Sequence, residues 1–445
     1  MTDLLVQGPV APAEMLIRDV HVVDPREGID ARHDVLIRQG AIAEIGEAGA
    51  LEAGSAEIVE GKGRHLLPGF VDPHVHLRTP GQEHKEDLDT GTRAAAAGGF
   101  VAVLAMPNTD PVVDSAPILR SLRDAAAREA RIPVGFMASI TRGLDGMELT
   151  EMGELRVEGA AGFTDDGRPV ASAGMLRKAL QYQRLAGGVI ALHEEDPSLS
   201  GKGSIHEGPI SALLGVAGIP SISESTMIAR DAAIAGYEDG RIHIQHLSAR
   251  ESIDAVREAK ARGVKITCEA SPHHLLLTDE DVRTLDTRFK MNPPLRTEQD
   301  RQALVDALRD GTIDCVATDH APHARDEKEV PFEQAPMGVT GLETSFAVLH
   351  TELVRPGVLT LETLIERMTE GAALFDLPVP RVAKDAPADL ALVDLDAVWI
   401  AGEHGWESRS DNSCFTGRRM QGRVVMTIAA GGVAFRERAF TVVGK

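Results

Sequence analysis

The sequence predicts an α/β protein: a (β/α)8 TIM-type barrel flanked by a small β-sandwich domain built from both chain ends. Three observations carry this. Eight short apolar runs recur through the middle of the chain, each followed by a longer amphipathic stretch. Most are continuously apolar, as strands buried on both faces of a parallel sheet are. The two chain ends instead carry short alternating pieces punctuated by glycine, the pattern of antiparallel strands.

Taken in order, residues 15–66 read as the first half of the sandwich, with strands in Met15-Leu-Ile-Arg-Asp-Val-His-Val-Val and Asp34-Val-Leu-Ile-Arg-Gln-Gly-Ala-Ile. The barrel reads over 67–385. Its strands are expected within 69–78, 100–109, 133–141, 157–166, 189–194, 241–248, 264–271 and 313–320. Residues 251–262 have helical periodicity, and Gly263 is placed to cap that helix. Eight such units in about 250 residues match the size of a barrel. Residues 386–445 read as the second half of the sandwich, with strands in Leu390-Ala-Leu-Val-Asp-Leu and Gly422-Arg-Val-Val-Met-Thr-Ile-Ala. The first dozen residues, with their Gly, Pro and Ala, are expected to be loosely ordered.

Charge and cysteine usage narrow the function classes. Lys and Arg total 46 against 68 Asp and Glu, a net charge of -22. Such a surface repels phosphate backbones and anionic membranes, so neither nucleic acid nor membrane is an expected partner. Cys268, Cys315 and Cys414 are far apart and form no Cys-x-x-Cys pair. They predict buried thiols rather than a disulfide framework or a zinc–thiolate site. No basic-then-apolar leader and no membrane-length apolar run occurs, so a cytoplasmic location is expected.

The chemistry is expected at the C-terminal ends of the barrel strands. There stand His74 and His76, then Asn108, Asp165 and Asp166, His193, His246, and Asp319 with His320. Residues i and i+2 of a strand face the same side, so His74 and His76 can address one ion. Alone the pair also fits two satisfied core histidines; the other strand ends favour a metal. Imidazoles and carboxylates without thiolate suit zinc with an open position for water. Asp319 is the candidate ligand and proton shuttle, its alternatives being a helix cap or a carboxylate orienting a histidine. Arg78, two residues past the pair, is placed to grip a substrate carboxylate, or else to pair with Glu83 or Glu86. The loop 324–338 is long enough to close a cleft, and equally fits a mobile surface loop. His273 and His274 read as structural, His33 and His404 as solvated.

The motifs Phe70-Val-Asp-Pro-His-Val-His-Leu-Arg78, Pro80-Gly-Gln-Glu-His-Lys-Glu-Asp87, Met106-Pro-Asn-Thr109, Phe163-Thr-Asp-Asp-Gly167, Lys290-Met-Asn-Pro-Pro-Leu-Arg296 and Ala317-Thr-Asp-His-Ala-Pro-His323 together resemble the longer bacterial dihydroorotases of the amidohydrolase superfamily. The resemblance runs from about residue 15 to near the C-terminus. It implies one zinc on His74, His76 and Asp319, a second on His193 and His246, and Asp166 bridging them; one zinc rather than two remains open. Strand parity does not choose between Asp165 and Asp166, so Asp166 rests on the family pattern. Allantoinases and dihydropyrimidinases typically bridge with a carboxylated lysine, where this chain offers only aspartate. The same resemblance implies substrate contacts from His76, Arg78, Asn108, Asn292, His323 and the backbone of Met337 and Gly338. Family members often carry Phe where Met337 stands, a change that a backbone contact survives.

The implied reaction is reversible cyclisation of N-carbamoyl-L-aspartate to (S)-dihydroorotate and water, a step of pyrimidine synthesis, with Asp319 handling the proton. A homodimer is expected, and assembly with aspartate carbamoyltransferase stays open. Two rivals remain: an amidohydrolase of allantoin or hydantoin, for which Arg78 has no use, and an inactive scaffold, which typically loses the metal ligands retained here.

Overall fold

In the computed structural model, which describes residues 4–437, all eight apolar runs form strands of one parallel sheet. They are Phe70–Val75, Phe100–Ala105, Val134–Ala138, Ala160–Thr164, Val189–Leu192, Arg241–Ile244, Lys265–Ala270 and Cys315–Val316. Each pairs with the next in chain order. The barrel nearly closes where the His76 amide donates to the His320 carbonyl at 2.8 Å. The strands are shorter than their apolar runs. Most of the residues picked out for chemistry lie just past the last ladder pair, where the backbone is free to turn into the cleft.

The helices between strands follow from local signals. Arg250–Ala261 buries Ser252, Ile253, Val256 and Ala259 on one stripe, and Gly263 follows with φ of 80°. Glu298–Asp310 starts on a capping box between Thr297 and Asp300 and stops at left-handed Gly311. The connection after the fifth strand is the elaborate one. It carries Pro197–Ser200, Pro209–Leu214, a two-stranded ribbon of Ile205–His206 with Gly218–Ile219, and the long helix Ile222–Glu238.

The chain ends meet as expected. Leu390–Ile400 pairs antiparallel with His65–Pro68, joining both halves into one eight-stranded sheet. That sheet has its own core, including Ile17, Val22, Val35, Ile37, Leu66, Leu390, Leu392 and Ile428. Its hairpin turns touch at Gly40 and Gly431, where a Cβ on Gly40 would lie 2.9 Å from the Gly431 Cα, so neither position accepts a side chain.

Two expectations need correction. Residues 4–13 are not loose: Val6 exchanges backbone bonds with Val134, Gly8 donates to Ala130, and Ala13 donates to Gly431. Apolar Leu4, Leu5 and Val6 pack on the barrel core, which outweighs the local Gly and Pro content; residues 1–3 lie outside the described residues. His33 is half-buried and hydrogen-bonds the Gly46 carbonyl, while exposed His404 is solvated. Cys268, Cys315 and Cys414 are buried free thiols. No described helix is long and apolar enough to cross a membrane.

Candidate metal centre

The centre is organised by carboxylates that fix the backbone before any ligand is placed. Asp72 accepts from the His74 amide at 3.1 Å and from the Thr318 amide and hydroxyl, tying the first strand to the eighth. Asp165 accepts from the amides of Ile140 and Thr141 at 2.8 and 3.0 Å and from the Thr141 hydroxyl. Its oxygens are thereby spent away from the cleft. Asp166, one residue on, faces the imidazoles instead: His74 Nε2 at 3.4 Å, His76 Nε2 at 3.4 Å, His246 Nε2 at 3.6 Å and His193 Nδ1 at 3.9 Å.

Asp319 completes the cluster, with Oδ1 at 3.1 Å from His76 Nε2 and 3.5 Å from His74 Nε2. His74 and His76 lie with ring centroids 5.4 Å apart, as same-side neighbours of an extended strand should. Donor atoms of His74, His76 and Asp319 fall within 4.8 Å of one another, and so do those of His74, Asp166 and His246. His193 Nδ1 approaches His246 Nε2 at 2.9 Å. Every one of these six residues is buried.

Three of the four imidazoles are held from behind, while His246 Nδ1 is buried without a hydrogen-bond partner among the described residues. Glu269 Oε1 binds His74 Nδ1 at 2.6 Å, and its other oxygen meets His243 Nε2 at 3.0 Å. Asn108 Oδ1 binds His76 Nδ1 at 2.9 Å. Glu195 binds His193 Nε2 at 3.3 Å and takes a 2.6 Å bond from Asn292. These contacts fix which ring nitrogen faces the cleft. Glu269 and Glu195 escaped the sequence reading. A glutamate inside the apolar run Lys265–Ala270 was the available signal for the first.

The electrostatics calls for a cation. Burial alone would depress the His74 pKa, but Asp166, Glu269 and Asp319 outweigh it and hold the value well above the ordinary histidine range. Burial would raise both Asp166 and Asp319; the surrounding histidines instead hold them well below the carboxylate range. His74 Nε2 is buried without a hydrogen-bond partner among the described residues. Imidazole nitrogens and carboxylate oxygens converging on one point, with no thiolate, fit a divalent ion of the zinc type.

Beside this cluster lies Arg78, buried, with φ of 58°. Its Nε donates to the Pro322 carbonyl at 3.1 Å, and one terminal nitrogen lies 3.5 Å from His323 Nε2. It forms no ion pair among the described residues. Glu86, considered above as its partner, is instead held by His320, Ser408 and Thr90. His320 thus turns away from the centre. His323 donates to the Met337 carbonyl at 2.9 Å, and burial followed by Arg78 and Lys328 pushes its pKa down to about 2, so it is neutral.

Asn108 and Gly338 are more committed than a simple substrate contact implies. Asn108 also reaches the Asp166 side chain at 3.3 Å. The Gly338 amide donates to Lys290, and its carbonyl accepts from Asn412. A Cβ on Gly338 would sit 2.8 Å from that of Ala321, which requires glycine there. His273 and His274 share the Ser271 hydroxyl and stay neutral, a structural pair as read.

Comparison with known proteins agrees with this geometry. A dihydro-orotase-like family model matches residues 63–252, and an amidohydrolase family model matches 224–434. A dihydroorotase of Anaeromyxobacter dehalogenans is 46% identical over 429 residues, covering 95% of this chain and 98% of that one. One from Acetivibrio thermocellus is 41% identical, covering 95% and 99%. The chain belongs to the dihydroorotase family. Among solved structures, the L-hydantoinase of Arthrobacter aurescens superposes with a TM-score of 0.84 at 24% identity, covering 97% of this chain and 98% of that one. That likeness shows a shared fold. Within it, this dihydroorotase-family chain has Asp166 facing the four imidazoles and Arg78 beside them.

Proposed function

We propose that the protein is a zinc-dependent dihydroorotase. It interconverts N-carbamoyl-L-aspartate and (S)-dihydroorotate plus water, in pyrimidine biosynthesis. The observation that carries the substrate is Arg78: a buried guanidinium with no ion-pair partner among the described residues, next to a cluster of metal-type donors. Leaving such a charge unpaired is costly, and a substrate carboxylate is the group that completes it.

In this reading His74, His76 and Asp319 would hold one zinc and His193 and His246 a second, with Asp166 shared between the two sets. When bound, the metal supplies Lewis acidity, polarising a carbonyl and making water acidic enough to react at neutral pH. The chain's own residues do the rest. Arg78, with His323, Asn292 and the Met337 backbone, seats the ring carboxylate and fixes the ring amide carbonyl for attack; the Gly338 amide, already given to Lys290, is not free to join them. Asp319, kept deprotonated by His74 and His76, takes the proton of the attacking water. It returns that proton to the ring nitrogen as the C–N bond breaks. His76 is oriented toward the substrate side by Asn108. Ring closure runs these transfers in reverse.

The division into 15–66, 67–385 and 386–445, a cytoplasmic location, a homodimer and docking to aspartate carbamoyltransferase belong to the same proposal. The deciding experiment pairs metal analysis of purified protein with assays on dihydroorotate, hydantoin and allantoin. Turnover of dihydroorotate with bound zinc is the expected result. Turnover of hydantoin or allantoin in its place would overturn the assignment, and inactivity toward all three in the metal-loaded protein would favour a scaffold.

A further inference from the structure

Two lysines absent from the mechanism sit behind the carboxylate seat. Lys290 is 3% exposed and Lys328 is 6% exposed, and neither has a carboxylate within ion-pair distance among the described residues. Lys328 Nζ donates to the carbonyls of Thr287, Lys290 and Pro336 at 3.0, 3.3 and 2.9 Å. Lys290 Nζ donates the other way, to Phe332 and Glu333 at 2.8 and 3.0 Å. The Thr287 hydroxyl donates to the Lys328 carbonyl at 2.7 Å, and the Gly338 amide to Lys290 at 2.9 Å. Each ammonium therefore staples the segment carrying the other.

The stapled segments lead straight into the seat. Residue 290 precedes Asn292 by two positions. Pro336, held by Lys328, precedes Met337, whose carbonyl accepts a hydrogen bond from His323. The loop 324–338 is thus pinned, not mobile. Neither lysine has a carboxylate at ion-pair distance among the described residues, so acidic groups such as Asp286, Glu327 and Glu333 balance their charge only at longer range. Burial pushes the Lys328 pKa down to about 7, with Lys290 adding to it against Cys414, Asp286 and Glu327. Lys328 also depresses the His323 pKa, so its field reaches the seat. Nature rarely buries unpaired ammonium groups without a use.

We infer that Lys290 and Lys328 are positioning residues that clamp the loop over the carboxylate seat and supply the positive potential by which the site prefers the dianion N-carbamoyl-L-aspartate over the monoanion dihydroorotate. The inference rests on the dihydroorotase reading above. The second carboxylate exists only in the open substrate, so the charge behind the seat acts on it more strongly. At one added charge and an effective dielectric of about 20, the difference is on the order of tenfold in relative affinity.

The test is Lys328→Gln, which keeps hydrogen-bond donors and removes the charge, with Lys290→Gln as a second variant should the first not fold. KM and kcat are measured in both directions at pH 6, below the Lys328 pKa of about 7 so that the parent carries the charge, and limited proteolysis reads the loop. The expected result is a KM for N-carbamoyl-L-aspartate raised on the order of tenfold more than that for dihydroorotate, with the ratio of cyclising to hydrolytic kcat raised by the same factor, as the fixed reaction equilibrium requires, and new cleavage within 324–338. Equal changes in both KM values, or a fall in kcat alone, would overturn the inference. Failure of the unaltered protein to turn over dihydroorotate would instead remove the reading beneath it.

Discussion

Replacing Arg78 with methionine should weaken substrate binding and stabilise the empty protein at once. Burial depresses the Arg78 pKa from 12.5 to about 10, with Asp319 and Asp166 only partly opposing it. A base whose folded pKa is depressed carries a folding cost at every pH below that value. Two and a half pH units correspond to about 3 kcal/mol, at about 1.4 kcal/mol per unit. Methionine, of similar length, removes that cost but loses the bond from Nε to Pro322, worth about 1.5 kcal/mol for a charged donor. The net gain is about 1 to 2 kcal/mol. Against this, two charge-assisted bonds to a carboxylate are worth about 3 to 6 kcal/mol together, or roughly 10²- to 10⁴-fold in kcat/KM. Steady-state kinetics on dihydroorotate and thermal melting of substrate-free protein read the two effects. An unchanged kcat/KM, or a lower melting temperature with intact fold, would refute the reasoning that Arg78 is held for a ligand.

Asp319→Asn should retain the fold yet lose at least roughly 10²- to 10⁴-fold in turnover, the usual worth of a positioned proton carrier; near-normal kcat would exclude that role. Glu269→Gln should weaken zinc binding by roughly 10- to 100-fold through loss of the bond that orients His74. Competition with a chelator measures this, and an unchanged affinity would show that Glu269 serves only the barrel interior. His273, pushed down to about 4 by burial, stays neutral in the fold while the unfolded chain protonates near 6.5. Stability is therefore lost as pH falls from about 6.5 to 4, by about 2 to 3 kcal/mol from this group. Denaturation of His273→Gln at neutral and acid pH should show a correspondingly flatter dependence than the parent, and parallel curves would contradict the assignment.

The barrel was legible because its strands are buried on both faces, so their apolar runs are continuous and any polar residue at their ends stands out. His193 and His246 were visible for that reason. Asp166 was not separable from Asp165, because where a strand stops decides which neighbour faces the cleft, and that depends on Ile140 and Thr141 in the loop after the neighbouring strand. Glu269 was hidden for a related reason: inside a strand, facing inward toward the axis and outward toward helices look alike in sequence. Lys290 and Lys328 were hidden because lysine is ordinarily a surface residue, and only tertiary carbonyls reveal that these are not. Short-range composition misjudged residues 4–13 because their partners, Val134 and Gly431, are distant in the chain.

The costs in this molecule gather at one end of the barrel. Arg78, His246 and Asp319 all adopt positive φ, of 58°, 31° and 47°, a region that costs a residue with a side chain on the order of 1 to 3 kcal/mol. Glycine would relieve each, but glycine has no guanidinium, imidazole or carboxylate to offer. Each stands at or just past the end of a strand, where the chain must leave the ladder and still aim a side chain inward. Arg78 adds an unpaired buried charge, His74 a buried nitrogen without a partner, and Lys290 and Lys328 two ammonium groups with no carboxylate at ion-pair distance among the described residues. Strain, unpaired cations and orphaned donors in one cleft are what a site looks like when its remaining partners are an ion and an anionic substrate. Filling that cleft should therefore stabilise the protein more than its contact area suggests.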